Sequence, residues 1–82
     1  MNYEIHWTAA AQKVWEQLPE KVAAACIEFV YGGLSDNPQR AGKPRRFELE
    51  GLHSARRGDY RVLYSIDDGG RHVTIVAVPA QG

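Results

Sequence analysis

Tyr3, Ile5 and Trp7 alternate with Asn2, Glu4 and His6. This is the period of two of a half-buried strand, and a strand is predicted over residues 2–7. The period then changes. Thr8 offers a helix N-cap, and Ala11, Val14, Trp15 and Leu18 recur at i, i+3, i+4 and i+7, so a helix with one apolar face runs to about Leu18, just before Pro19. A second helix follows from about Glu20, with Ala23, Cys26, Ile27, Val30 and Leu34 in one stripe. The short joint at Pro19 makes the pair a helical hairpin.

Residues 35–44 contain Asn37-Pro38, Gly42 and Pro44 without periodicity and read as a surface connection. RRFELEG, residues 45–51, fits two states, a strand with Phe47 and Leu49 on one side or a single helical turn capped by Gly51. LHSARR and YRVLYSI then flank Gly58-Asp59, the Gly-X chemistry of a two-residue type II′ hairpin turn. DDGG makes a second reversal and RHVTIVAVP a third strand that Pro79 can end. The order strand, helix, helix, three strands predicts one α+β domain over 1–82, a mainly antiparallel sheet with the helical hairpin on one face.

Counting outwards from Gly58-Asp59 pairs Arg57 with Tyr60, Arg56 with Arg61, Ala55 with Val62 and Ser54 with Leu63. Alternation puts Arg56 and Arg61 on one face with Ser54, Leu63 and Ser65, and leaves Tyr60, Val62, Tyr64 and Ile66 for the core. Two like charges facing each other across a ladder destabilise it by about a few tenths to 1 kcal/mol. A phosphate held between the guanidinium groups reverses the sign, since each can give two charge-assisted hydrogen bonds. The plainer alternative has the arginines lying over apolar neighbours, with Asp59, Glu48 or Glu50 neutralising one of them. The third strand is apolar on both sides, with Val73, Ile75 and Ala77 on one and Thr74, Val76 and Val78 on the other. Either a partner covers the second side or the chain's own segments do.

Composition narrows the function. Net charge is zero, yet the segment from Arg40 to Arg61 holds seven basic residues against three acidic ones, while the chain up to Asp36 holds two lysines against five carboxylates. An anionic partner is expected at the centre of the chain, where Lys43, Arg45 and Arg46 either extend a nucleic-acid track or form a solvated loop. The lone Cys26 cannot form an internal disulfide and suggests a reducing compartment. With no apolar run of membrane-spanning length and no signal-like start in MNYEIHW, a cytoplasmic protein is expected.

His6, His53 and His72 lack metal-ligand spacing, and no metal or other cofactor is expected. His53 is close enough in sequence to the arginines to serve as a proton donor, although a structural strand histidine is the simpler reading. No paired carboxylates, phosphate-binding glycine loop or nucleophile elbow is present.

The order of elements, the segment EFVYGGLSDNP and above all GLHSARRGDYRVLYSIDD resemble the RelE branch of the RelE/ParE superfamily of bacterial toxins, over nearly the whole chain to about Val78. The resemblance implies a small cytosolic mRNA interferase that enters the ribosomal A site, cuts the bound message without a metal and is silenced by a RelB-like antitoxin. It implies that Arg61 contacts the scissile phosphate; Arg56 is expected to be its catalytic partner, and Arg57, Lys43, Arg45, Arg46 and His53 are expected to bind RNA. Two strand lysines of the type member fall at Leu52 and Ser54 here, so their role passes to Arg56 and Arg57. The usual basic C-terminal segment and its tyrosine are replaced by VAVPAQG, with Gln81 near the place of a cation, which implies a shortened end and weakened activity. ParE-like members share the fold and act on DNA gyrase, so a non-catalytic gyrase inhibitor is one alternative reading. A degenerate toxin that only binds its antitoxin is the other.

Overall fold

A computed structural model of the chain describes residues 2–47 and 50–79. The elements are β1 (Glu4–Trp7), α1 (Ala9–Glu16), α2 (Glu20–Phe29), a π-helical turn over Val30–Leu34, α3 (Pro38–Ala41), β2 (Lys43–Pro44), β3 (His53–Arg57), β4 (Tyr60–Asp67) and β5 (His72–Ala77). The five strands form one sheet in the order β1-β5-β4-β3-β2, with β1 parallel to β5 and the other pairs antiparallel. This is the expected α+β fold, enlarged by the two-residue β2.

Thr8 caps α1 as its sequence position predicts: its hydroxyl accepts from the Ala11 N–H at 3.1 Å and donates to the Val76 carbonyl. The helix ends at Glu16, two residues earlier than the apolar spacing suggests. The last turn tightens, with Gln17 N–H on Val14 O and Leu18 N–H on Trp15 O, before Pro19 starts the next helix. Of the α2 stripe, Cys26, Val30 and Leu34 are wholly buried, and Trp15 of α1 donates to the Ala23 carbonyl to close the hairpin.

Residues 35–44 are more than a surface connection. Pro38, buried at the first position of α3, accepts the Tyr64 hydroxyl on its carbonyl at 2.7 Å. That bond draws α3 over the sheet and delivers Lys43 and Pro44 to the edge of β3. Just past β2 the Arg45 N–H bonds Leu52 O, so alternation turns the nitrogen of Pro44 outwards, where a missing N–H leaves the edge a poor template for another strand. Of RRFELEG, Phe47 forms no strand and has a left-handed backbone (φ +60°). Glu48 and Leu49, on which the two alternatives turned, lie outside the described residues.

The core is the helix-facing side of the sheet: Ala55, Tyr60, Val62, Tyr64, Val73 and Ile75 pack under Ala11, Cys26, Val30 and Leu34. The doubly apolar β5 is resolved by a bulge. Tyr64 pairs with Ile75 but Leu63 pairs with Ala77, so the register shifts by one residue. Ala77 thereby moves to the open face and Val78 turns inward, where it is buried. This corrects the simple alternation that placed Ala77 with Val73 and Ile75, and much of the extra apolar surface is covered by the chain itself.

Candidate phosphate-binding site

The β3–β4 hairpin has the predicted register, including Arg56 opposite Arg61. Gly58 takes φ +54° and Asp59 has no positive φ, the pattern of a type II′ turn. Because Arg57 and Tyr60 flank a two-residue turn, they form a hydrogen-bonded pair, and Arg56–Arg61 is the next, non-hydrogen-bonded pair. In such pairs the strands approach most closely, with Cα atoms about 4.5 Å apart. The hairpin therefore places the two arginines at the closer of the two Cα spacings in a ladder, on the face away from the helices. The Arg61 N–H donates to Pro79 O at 3.2 Å, which ties the site to the end of β5.

Lys43 pairs with Ser54, two residues before Arg56, and so shares that face. Lys43, Arg45, Arg56, Arg57 and Arg61 line a cavity of about 390 Å³ together with Ala41, Gly42, Ser54 and Ala55, and among the described residues no carboxylate lines it. Among the described residues no salt bridge joins Arg56 or Arg61 to Asp59 or Glu50, while Glu48 lies outside them. Arg61 Nε is buried and has no hydrogen-bond partner in the protein. Desolvating a guanidinium N–H without an acceptor is costly, and an oxyanion supplies that acceptor.

Arg57 lines the same cavity from the other side of the sheet. Its guanidinium lies 4.2 Å from the centroid of the Phe29 ring and donates to the carbonyls of Arg56 and, at 3.5 Å, Ala41. Beyond it a larger hollow of about 560 Å³ opens between α2 and the hairpin, with Lys21 and Arg57 balanced by Glu28 and Asp59. That mixed charge gives no anion preference. Arg46 stands further along the chain, lining a third hollow of about 290 Å³ with Pro44, Arg45 and Phe47.

His53 is not brought to the arginine pair. It pairs with Tyr64 on the helix side, ring centroids 5.6 Å apart, with Nδ1 buried and without a hydrogen-bond partner in the protein. One residue of alternation separates it from the Ser54–Arg56 face, so its position does not suit proton donation to a group bound there. Burial pushes the Tyr64 phenol up to about 12, opposed by the nearby Arg57, and holds it as the neutral donor to Pro38. Gly42 makes this arrangement possible: a Cβ there would stand 2.6 Å from both the Tyr64 hydroxyl and the Ser54 carbonyl oxygen. Sequence reasoning passed over Gly42 and Tyr64 as site supports. The one signal was a glycine between a short connection and a cluster of cations.

Among the described residues no group of three or more His, Cys, Asp or Glu side chains is placed to hold a metal. What the arrangement offers is electrostatic: several cationic side chains lining one cavity, a setting that favours an anionic group.

Comparison with known proteins identifies the family. Residues 5–81 match the family described as ParE toxin of type II toxin-antitoxin system, parDE. The chain is 59% identical over 76 residues to Toxin RelE of Mycobacterium tuberculosis (strain ATCC 25618 / H37Rv), covering 93% of this chain and 78% of that one. It is 49% identical to Toxin RelG of the same organism over 93% of this chain and 85% of that one. Its fold superposes on a chain of the RelBE2 toxin–antitoxin complex of M. tuberculosis with a TM-score of 0.94 and 45% identity, covering 98% and 99% of the two chains. The chain belongs to the RelE/ParE superfamily of toxins of type II toxin–antitoxin systems.

Proposed function

We propose that this toxin is a ribosome-dependent mRNA endonuclease that works in the cytoplasm and is held inactive by a RelB-like antitoxin. The observation that carries the reading is the close Arg56–Arg61 pair beside a cavity that, among the described residues, is lined by five cationic side chains and no carboxylate. In the reaction the 2′-hydroxyl of the message attacks the adjacent phosphorus, the bond to the 5′-oxygen breaks, and a 2′,3′-cyclic phosphate and a free 5′-hydroxyl result. Charge on the non-bridging oxygens rises towards the pentacovalent transition state, and Arg61 and Arg56 stabilise it more than they stabilise the diester. Lys43, Arg45 and Arg46 guide the strand, and Arg57 closes the cavity from behind.

Among the described residues no imidazole or carboxylate lines the cavity, and the reading assigns the proton leaving the 2′-hydroxyl and the one reaching the 5′-oxygen to water or groups of the ribosome. The antitoxin fits the same surface by charge: an acidic segment over the open face neutralises the arginines and excludes RNA.

The test is a pair of assays on the purified chain. Cuts in a message on programmed ribosomes, mapped by primer extension and absent from naked RNA, support the reading. Inhibition of gyrase supercoiling without such cuts replaces it with the gyrase-directed alternative, and antitoxin binding with neither activity replaces it with a degenerate toxin.

A further inference from the structure

Phe47 has no role in the fold or in the phosphate cavity. It is 90% exposed, so it adds nothing to the core, and its backbone is left-handed, which a bulky side chain adopts only at a cost. The Phe47 carbonyl accepts the Glu50 N–H at 3.0 Å. A large aromatic ring presented to solvent from a strained position points to a binding role.

Its surroundings say what it binds. Phe47 lines its hollow with Pro44, Arg45 and Arg46, and Arg45 also lines the phosphate cavity. A strand leaving the Arg56–Arg61 pair along these cations therefore reaches the Phe47 ring next. We propose that Phe47 is a stacking platform for an unpaired base of the RNA that the arginine pair holds by its phosphate. An aromatic face beside two guanidinium planes and a phosphate track is the arrangement used for single-stranded nucleic acid. Among the described residues Phe47 shares its hollow with Pro44 and two arginines, a basic setting that suits a nucleic-acid strand.

This inference rests on the RNA-directed reading, and the experiment separates the two. Ribosomes are programmed with a message carrying 2-aminopurine at successive positions in and next to the A-site codon, with a 2′-O-methyl group at the scissile position to block cleavage. Wild type, Phe47→Leu, Phe47→Trp, Phe47→Asn and Arg61→Ala are then titrated. The expected result is quenching of 2-aminopurine at one position by wild type and Phe47→Trp, and loss of that quenching with a fall in affinity of roughly five- to a hundredfold in Phe47→Leu and Phe47→Asn. Phe47→Asn is also expected to melt no lower than wild type, since asparagine tolerates the left-handed backbone; a purely structural Phe47 predicts a lower melting temperature instead. Unchanged affinity in Phe47→Leu together with a loss in Arg61→Ala overturns the stacking role and leaves the phosphate site standing. No binding by any chain, wild type included, overturns both, and a defect in Phe47→Leu confined to antitoxin binding overturns the stacking role in favour of a protein contact.

Discussion

Arg57 lies over the Phe29 ring at 4.2 Å while its neighbour Arg56 faces away from the helices. Adjacent arginines thus take opposite faces, one fastening the hairpin to α2 and the other standing opposite Arg61 on the open face. Truncating Arg57 to alanine removes a cation–π contact and two hydrogen bonds to carbonyls and is predicted to cost about 1 kcal/mol. A double-mutant cycle with Phe29→Leu, followed by denaturant unfolding, should return a coupling of about 0.5–1 kcal/mol.

Arg56 behaves in the opposite way. Removing one of two opposed cations relieves repulsion, so Arg56→Ala is predicted to unfold at equal or slightly higher denaturant, by about half a kcal/mol. Inorganic phosphate should raise the melting temperature of wild type and have little effect on Arg56→Ala or Arg61→Ala. Matched sodium chloride controls for general screening.

Gly42 is held by space. Its backbone is extended (φ −140°), which any residue adopts, but a Cβ would meet the Tyr64 hydroxyl and the Ser54 carbonyl. Gly42→Ala is predicted to destabilise by about 1–3 kcal/mol. Gly33→Ala, with nothing within 4 Å of its Cβ, should be neutral or stabilising.

Alkaline stability follows from buried acids, chiefly Cys26 and Tyr64, with burial raising Tyr60 in the same direction. Burial raises Cys26 to about 11 and Tyr64 to about 12, so above their ordinary values the unfolded chain loses these protons before the folded one does. The folded state therefore binds more protons, and stability falls as pH rises: from about 9 to 11 through Cys26 and from about 10 to 12 through Tyr64. Denaturant midpoints measured across this range should decline, and Cys26→Ala should flatten the first part of the decline.

The hairpin was legible in the sequence because Gly58-Asp59 leaves only one register, and register decides which face each arginine occupies. Thr8 was legible for a similar reason, since its cap is local. The bulge at Leu63/Tyr64 was not, because nothing in VTIVAV distinguishes one apolar residue from the next, and the shift shows only when Ala77 meets Leu63. The face of His53 was open to counting from the same turn, but its nearness in sequence to the arginines outweighed alternation. The part played by residues 35–44 depends on the bond between Tyr64 and Pro38, 26 residues apart, which no local pattern carries. Phe47 was noticed only as one of an alternating pair, because a left-handed backbone at a phenylalanine has no sequence signature.

The central claim is that the Arg56–Arg61 pair stabilises the transition state of message cleavage. Its most direct test is the single-turnover rate of cleavage on programmed ribosomes, under saturating toxin, for wild type, Arg61→Ala, Arg56→Ala and Arg61→Lys. The account predicts a fall of about 10²–10³-fold for Arg61→Ala, partial recovery with Arg61→Lys, and a 2′,3′-cyclic phosphate at the end of the residual product. A wild-type rate from well-folded Arg61→Ala would contradict it.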